Sequence, residues 1–307
     1  MEATIRAHEL SKRYGRTQAV DRLTFTVSAG QVCALLGPNG AGKTSTMRML
    51  VGLSAPDYGG ARILGQPVGL GAGVLARVGV LIDGPAFVPH LSGTANLKLL
   101  WSATGRAWPP PGLDDALDLA GLGAAVGRRV KGYSMGMKQR LVLAQALMRK
   151  PDVLILDEPA NGLDPAEVRR LREHLATLAG RGATVLVSSH QLAEVQQLAT
   201  HVVVMNHGSL VTAGALADLL GDDTPAYRLQ VEDPARATTV LRGLTGVAAV
   251  TADGGELVVT APDIPSRDLV EALVTAGIGV TAVHRASRSL EEAFLAITEG
   301  GDPRAAR

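Results

Sequence analysis

Val32-Cys33-Ala34-Leu35-Leu36-Gly37-Pro38-Asn39-Gly40-Ala41-Gly42-Lys43-Thr44 decides the fold of the larger part of this 307-residue chain. The five apolar residues read as a buried strand, and Ser45-Thr46-Met47-Arg48-Met49-Leu50 runs on with helical spacing. Between them stands the pattern G-x-x-x-x-G-K-[ST], in the strand–turn–helix context that gives it meaning. Gly37, Gly40 and Gly42 permit backbone angles closed to other residues, so successive N–H groups turn inward as an anion nest. The helix that follows adds its positive end and its unpaired amides. Lys43 is placed to reach the β- and γ-phosphates as a point charge, and the Thr44 hydroxyl to ligate Mg²⁺. By itself the loop says only "nucleoside triphosphate", and a Gly-rich turn that binds nothing is the bland alternative.

Composition narrows the classes. The chain is long enough for two domains, and with 46% hydrophobic but only 3% aromatic residues its core must be mostly aliphatic. A net charge of +1 argues against a nucleic-acid binder driven by counterion release. Lys and Arg outnumber Asp and Glu in residues 1–222 (22 against 17), and the balance reverses in residues 223–307 (8 against 12). Two modules with different partners follow from that split. The single cysteine, Cys33, excludes an intramolecular disulfide, and inside an apolar strand it reads as a small buried hydrophobe. The first residues are polar, and no apolar run reaches the ~18–20 residues that span a bilayer. Work at a membrane would need another chain to hold this one there.

Residues 1–31 read as short strands, at Thr4–Ala7, around Tyr14, and at Leu23–Val27. Strands follow at Ala61–Leu64 and Val78–Ile82, then helices at Thr94–Trp101 and Leu113–Leu122. Tyr133-Ser134-Met135-Gly136-Met137-Lys138 precedes a helix through Lys150, with Ser134 as its N-cap. Val153–Leu156 and Thr184–Ser188 are apolar at almost every position, as in strands of a parallel sheet covered on both faces. Helices at 165–179 and 191–199 and a strand at 202–205 complete an alternating array. The rhythm changes at Gly221-Asp222-Asp223-Thr224-Pro225. Beyond it the order β-α-β-β-α-β, with a last helix from Leu290 capped by Ser289 and Glu292, reads as a split βαβ, ferredoxin-like domain.

The acids that turn a phosphate loop into an ATPase stand at Asp157 and Glu158. Open α/β sheets place ligands at the carboxyl ends of their strands, where Asp157 can hold Mg²⁺. Glu158 suits a general base that polarises the attacking water. His190 ends the next strand and is placed to contact the γ-phosphate, although a lone histidine is more often structural. Tyr14, one of few aromatic residues, offers a surface on which a base could stack or an ordinary packing residue. The acids at Asp114, Asp115 and Asp118 read as the solvated face of a helix.

The phosphate loop, YSMGMKQR (133–140), VLILDEPANGLD (153–164) and SSH (188–190) stand in one order with compatible spacings. In this the chain resembles the nucleotide-binding subunit of ATP-binding cassette (ABC) transporters, over about residues 1–220. The resemblance implies a phosphate-loop NTPase of the ABC type, an α/β fold whose mixed sheet has helices on both faces and a helical signature subdomain. It implies that Gly37, Pro38, Asn39, Gly40, Ala41, Gly42, Lys43, Thr44 and Ser45 bind ATP, and that Tyr14 stacks the adenine. Thr44 and Asp157 would serve Mg²⁺, Glu158 would be the base and His190 the switch. Ser134 and Gly136 would clamp the γ-phosphate of the opposite subunit, and Asp164 would be a cross-subunit acid. A homodimer or a heterodimer with a paralogue is therefore implied.

Two departures from the family pattern stand out. Met135 and Met137 replace a Gly and the Gln of the signature, and Asp83 stands near where the family carries a Gln that watches Mg²⁺ and the permease, placed to serve Mg²⁺ as a further oxygen ligand or to stand only as a turn-forming residue before Gly84-Pro85. Both, together with the ending SLEEAFLAITEGG (289–301), are similar to the drug- and antibiotic-exporting, daunorubicin-resistance-type branch. That branch implies domains at 1–222 and 223–307, export through a separate transmembrane permease, and a peripheral place at the cytoplasmic face of the membrane. No nucleic-acid partner is expected. A soluble cassette acting on DNA or the ribosome would need a coiled coil within 45–132 or a second cassette, and neither is present. An importer subunit would carry a β-rich barrel extension in place of the split βαβ.

Overall fold

The computed structural model of the chain describes residues 3–189, 191–220, 226–286, 290, 291, 293 and 294. It divides into two compact units, Met1–Leu216 and Ala217–Arg307. The boundary read from the sequence, 222/223, lies outside the described residues.

The first unit opens with two long antiparallel strands, β1 (Ala3–Tyr14) and β2 (Thr17–Ser28), where the sequence reading expects three short ones. Register shifts between Ala3 and Ile5, and at three points from Ala7 to Arg13, break the two-residue alternation that would have marked continuous strands. The chain then enters β3 (Val32–Leu36), turns through the glycine loop and starts α1 (Lys43–Leu50). Strands β4 (Tyr58–Ile63) and β5 (Gln66–Pro67) return to the first pair, giving a four-stranded antiparallel sheet ordered β2-β1-β4-β5.

Strand β6 (Val78–Leu81) leads into the helices α2 (Gly93–Ser102), α3 (Leu113–Ala120) and α4 (Met135–Leu147). The alternation then resumes with β7 (Val153–Leu156), α5 (Pro165–Gly180), β8 (Thr184–Ser188), α6 (Leu192–Leu198), β9 (His201–Asn206) and β10 (Ser209–Ala215). A second sheet orders these strands β10-β9-β3-β8-β7-β6, parallel except for the β9–β10 hairpin. Strands β3, β7 and β8 are buried at every position, which requires cover on both faces.

Helix α1 lies in the core that joins the two sheets. Its Met47, Met49 and Leu50 share one apolar cluster with Cys33, Leu35, Ile155 and Leu186 of the mixed sheet and with Ile5, Leu23 and Phe25 of the antiparallel sheet. The phosphate loop is thus mounted on a strand and a helix that are both rigidly packed. Strand β3 lies between β8 and β9 and one strand from β7, so the ends of β3, β7 and β8 converge on one side.

A helix, α7 (Leu216–Leu220), stands at the junction of the units. The second unit runs β11 (Ala226–Val231), α8 (Pro234–Arg242), β12 (Ala249–Asp253), β13 (Glu256–Thr260), α9 (Ser266–Thr275) and β14 (Val280–Ala286). Its sheet is ordered β12-β13-β11-β14 with every pair antiparallel, so β11 and β12 run the same way with β13 between them. That is the split βαβ arrangement. Leu229, Leu257 and Val259 pack with Leu241, Leu269 and Leu273 of the two helices in a core of its own. Leu290 and Ala293 are buried, whereas Ser289 and Glu292, the expected cap of the last helix, lie outside the described residues.

Burial pushes the Cys33 thiol up to about 12. A thiol reagent at pH 8 should therefore label Cys33 only as fast as the native unit opens, with full labelling in denaturant. Rapid labelling of the folded protein would contradict the placement of β3 in the core.

Candidate functional site

The turn between β3 and α1 is shaped by close approach. A Cβ on Gly37 would stand 2.4 Å from the Met205 carbonyl, and one on Gly42 would stand 2.3 Å from that of Ala19. Gly40 and Gly42 also sit at φ +82° and +98°, where L side chains are strained. Gly42 is the N-cap of α1 and brings no side chain to it, so the first-turn amides of the helix keep their donors for a ligand.

A cleft of about 370 Å³ opens over this turn, lined by Ala19, by Asn39 through Ser45, and by Asp157 and Glu158. The Lys43 ammonium is buried and donates to the carbonyls of Gly37 (2.7 Å) and Pro38 (3.1 Å). Burial holds its pKa below the ordinary lysine value, against the opposing pull of Glu158 and Asp157.

Asp157 closes the far side of the cleft. The Thr44 hydroxyl donates to its Oδ2 at 2.7 Å, and the Ser188 hydroxyl donates to its Oδ1 at 2.5 Å. Ser188 in turn accepts the backbone N–H of Glu158 at 2.9 Å. Glu158 itself sits at φ +47°, an uncommon conformation for a residue with a long side chain. The start of α1 and the ends of β7 and β8 are thereby joined through side chains.

The remaining expected residues fall in three places. Tyr14 is 45% exposed and does not line the cleft. Hydrogen bonding to Ser54, and less strongly to Ser45, holds its phenol below the ordinary value, and the Lys12 ammonium lies 5.7 Å from its ring centre. Asp83, at the end of β6, gives both carboxylate oxygens to the Arg48 guanidinium, one of them to Nε at 3.1 Å, and lies outside the cleft. Ser134 and Asp164 cap helices: the Ser134 hydroxyl accepts the Met137 N–H at 3.2 Å, and the Asp164 carboxylate accepts the Glu167 N–H at 2.9 Å. Gly136 faces the Gly162 carbonyl, which a Cβ would approach to 2.8 Å. None of these three lines the cleft of its own chain. His190 lies outside the described residues.

Four residues with a part in this geometry carried no role in the sequence reading: Ala19, Arg48, Gln139 and Ser188. A serine closing an otherwise apolar strand, one residue before another serine, was a usable signal for Ser188. A glutamine on the buried side of α4 was one for Gln139. Nothing local marks Ala19, and Arg48 meets Asp83 only through the fold.

The ABC transporter family pattern matches residues 20–161. Among similar proteins, a bacitracin transport ATP-binding protein of Enterococcus faecalis is 32% identical, covering 98% of this chain and 98% of its own. A daunorubicin/doxorubicin resistance ATP-binding protein of Streptomyces peucetius is 35% identical over 96% of this chain and 90% of its own. Among solved structures, an ATP-binding subunit of an ABC transporter superposes on 70% of this chain and 91% of its own with a TM-score of 0.64 at 28% identity. The chain therefore belongs to the ATP-hydrolysing, ATP-binding subunits of ABC transporters.

Proposed function

We propose that this subunit powers export of a drug- or antibiotic-like compound through a separate membrane permease. The observation that carries the reading is the whole-length similarity to the bacitracin transport and daunorubicin/doxorubicin resistance subunits, which takes in the C-terminal split βαβ unit as well as the cassette. Among the described residues no helix is long and apolar enough to cross a membrane, and on this reading the compound passes through another chain. The segment from Asp83 to Asn96 is the surface offered to that chain at the cytoplasmic face. It is held in shape by Asn96, whose buried amide accepts the Val88 N–H at 2.7 Å and donates to the Val88 carbonyl at 3.1 Å.

In the cycle, ATP lies with its phosphates over the amides of residues 39–45. Lys43 leaves the Gly37 and Pro38 carbonyls to meet the β- and γ-phosphates. The hydroxyl of Thr44 and the carboxylate of Asp157, 2.7 Å apart and both hard oxygen donors, fit Mg²⁺. Bound there, the ion would neutralise charge on the phosphates. Glu158 takes a proton from the attacking water, and His190 orients that water. Tyr14 stacks the adenine on the ring face away from Lys12. Ser134 and the first-turn amides of α4, which lie away from their own chain's cleft, face the γ-phosphate of a second subunit, with Asp164 beside them. The working unit is then a pair of cassettes, of this chain or of this chain with a paralogue, enclosing two ATP molecules.

Asp83 is left out of the metal set. With both oxygens on Arg48 its charge is compensated, so the acid that replaces the family's Gln adds little field at the phosphates.

Two outcomes are expected. Glu158→Gln should lower turnover at least ~100-fold while ATP and Mg²⁺ convert the chain from monomer to dimer on sizing with light scattering. A variant that stays monomeric would end the sandwich reading. Arg48→Met, which uncovers the Asp83 charge, should raise the KM for Mg²⁺–ATP about threefold, roughly 0.7 kcal/mol, and Arg48→Met with Asp83→Asn should restore it. An unchanged KM in the single variant would show that the Asp83 charge is not felt at the phosphates.

A further inference from the structure

Helix α4 is bolted to the acidic loop along one side. Gln139, which is buried, points its side-chain amide at the turn that follows β7, where Nε2 donates to the Pro159 carbonyl at 3.2 Å and to the Glu158 carbonyl at 3.4 Å. One turn earlier on the same helix, Gly136 lies against the Gly162 carbonyl with no room for a side chain. Next to Gln139, Arg140 forms an ion pair with Glu167 at 3.1 Å. The two carbonyl acceptors fix the amide orientation, because only the NH₂ end can serve both.

The peptide so held belongs to the candidate base. Its N–H is given to Ser188 at 2.9 Å, its own carbonyl is gripped by Gln139, and its φ of +47° lies in the left-handed region. For a glutamate that conformation is costly and persists only when its surroundings over-determine it. The Asn161 N–H also reaches the Glu158 carbonyl, at 3.2 Å, but it belongs to the same turn and moves with it. Gln139 ties this carbonyl to a different element.

We propose that Gln139 is a positioning residue for Glu158, through which the placement of α4 sets the aim of the hydrolytic carboxylate. The inference rests on the reading of Glu158 as base. Helix α4 carries Ser134 and Gly136 at its start and Gln139 one turn on. A shift of its N-terminus against a neighbouring nucleotide is passed along a rigid helix to the Glu158 carbonyl. With the amide engaged, the turn keeps its left-handed residue and the carboxylate stays at the cleft. With the amide withdrawn, the strain relaxes by rotation at Glu158 and the carboxylate leaves its line. Substrate binding does not pass through this contact, since Lys43, Thr44 and the nest are held by other bonds.

The test uses the full chain in four forms: wild type, Gln139→Met, Glu158→Gln and the double variant. Hydrolysis is followed at steady state and, for the slow forms, in single turnover, and nucleotide affinity with a fluorescent ATP analogue. Gln139→Met keeps the volume and removes both donors. It should lower kcat about tenfold or more with KM and nucleotide affinity within about twofold, as expected when a reacting group is misplaced and binding is untouched. In the Glu158→Gln background it should change the residual rate less than twofold, because the group it aims is gone. A kcat equal to wild type, a matching rise in KM, or an equal loss in both backgrounds would overturn the role of Gln139. Wild-type turnover in Glu158→Gln would instead overturn the base assignment and Gln139's role with it. Should Gln139→Met fail to fold, Gln139→Glu, of the same length but short of at least one donor, carries the same expectations.

Discussion

The carboxylate of Asp157 is the tie on which the site depends. Its two oxygens take hydroxyl protons from Thr44 at the start of α1 and from Ser188 at the end of β8. A hydroxyl has one proton to give, so once Ser188 has spent it on Asp157 its lone pairs face the Glu158 N–H. The hydrogen-bond chain therefore has one direction, from the peptide of the base, through a serine, to the acid that fits the metal. Bonds to an ionised acceptor are the stronger ones, and in a partly buried chain each polarises the next. The peptide of the proposed base is thus tied to the carboxylate proposed to hold Mg²⁺.

That charge also explains the state of Lys43. Two carboxylates and one ammonium leave the site with a deficit of one positive charge before any phosphate arrives. Lys43 is desolvated, and the neighbouring acids resist the loss of its proton. Two of its donors are given to the loop's own carbonyls, of Gly37 and Pro38, in the meantime. A triphosphate adds several negative charges to a site already negative. One lysine and a nest of amide dipoles do not balance them in a partly desolvated cleft. The electrostatic case for a divalent cation between Thr44 and Asp157 follows from this sum, independent of the similarity to other cassettes.

Much of this was legible in the sequence, and the reasons are physical. Strands β3, β7 and β8 are covered on both faces, so each is written as an unbroken apolar run with a functional residue where the run stops. The C-terminal unit is a chain of short elements divided by turns, and the order β-α-β-β-α-β expected of it is the order of its elements from β11 to β14. Strands β1 and β2 were harder. Bulges reset their alternation, and polar residues such as His8 and Lys12 sit where a short-strand reading sees an end. Lys43, Thr44, Asp157 and Glu158, singled out by chemical type, line one cleft, whereas the residues that brace them carried no role in the sequence reading. Ser188, Gln139 and Arg48 matter through partners 19 to 35 positions away, at Asp157, Glu158 and Asp83. No periodicity encodes such a pairing.

The half-site formed by α4 shows how a strut differs from a ligand. Ser134 has given a lone pair of its hydroxyl to the Met137 N–H, and Asp164 has given carboxylate capacity to the Glu167 N–H. Both side chains first satisfy their own helix ends, which are costly to leave bare. In the proposed pairing, the first turn of α4 offers a second subunit the amides of Met135 and Gly136, the helix's positive end, the remaining valence of Ser134 and the 63% exposed side chain of Met135. Amides and dipole recognise an anion, and a thioether adds a flexible apolar contact that a glycine at the same place would lack. On that reading Met135, one of the two methionines that depart from the family signature, leaves the anion-binding part of the half-site intact and changes what surrounds it. On this account the signature helix recognises phosphate with its backbone and reports to its own acid loop with Gln139.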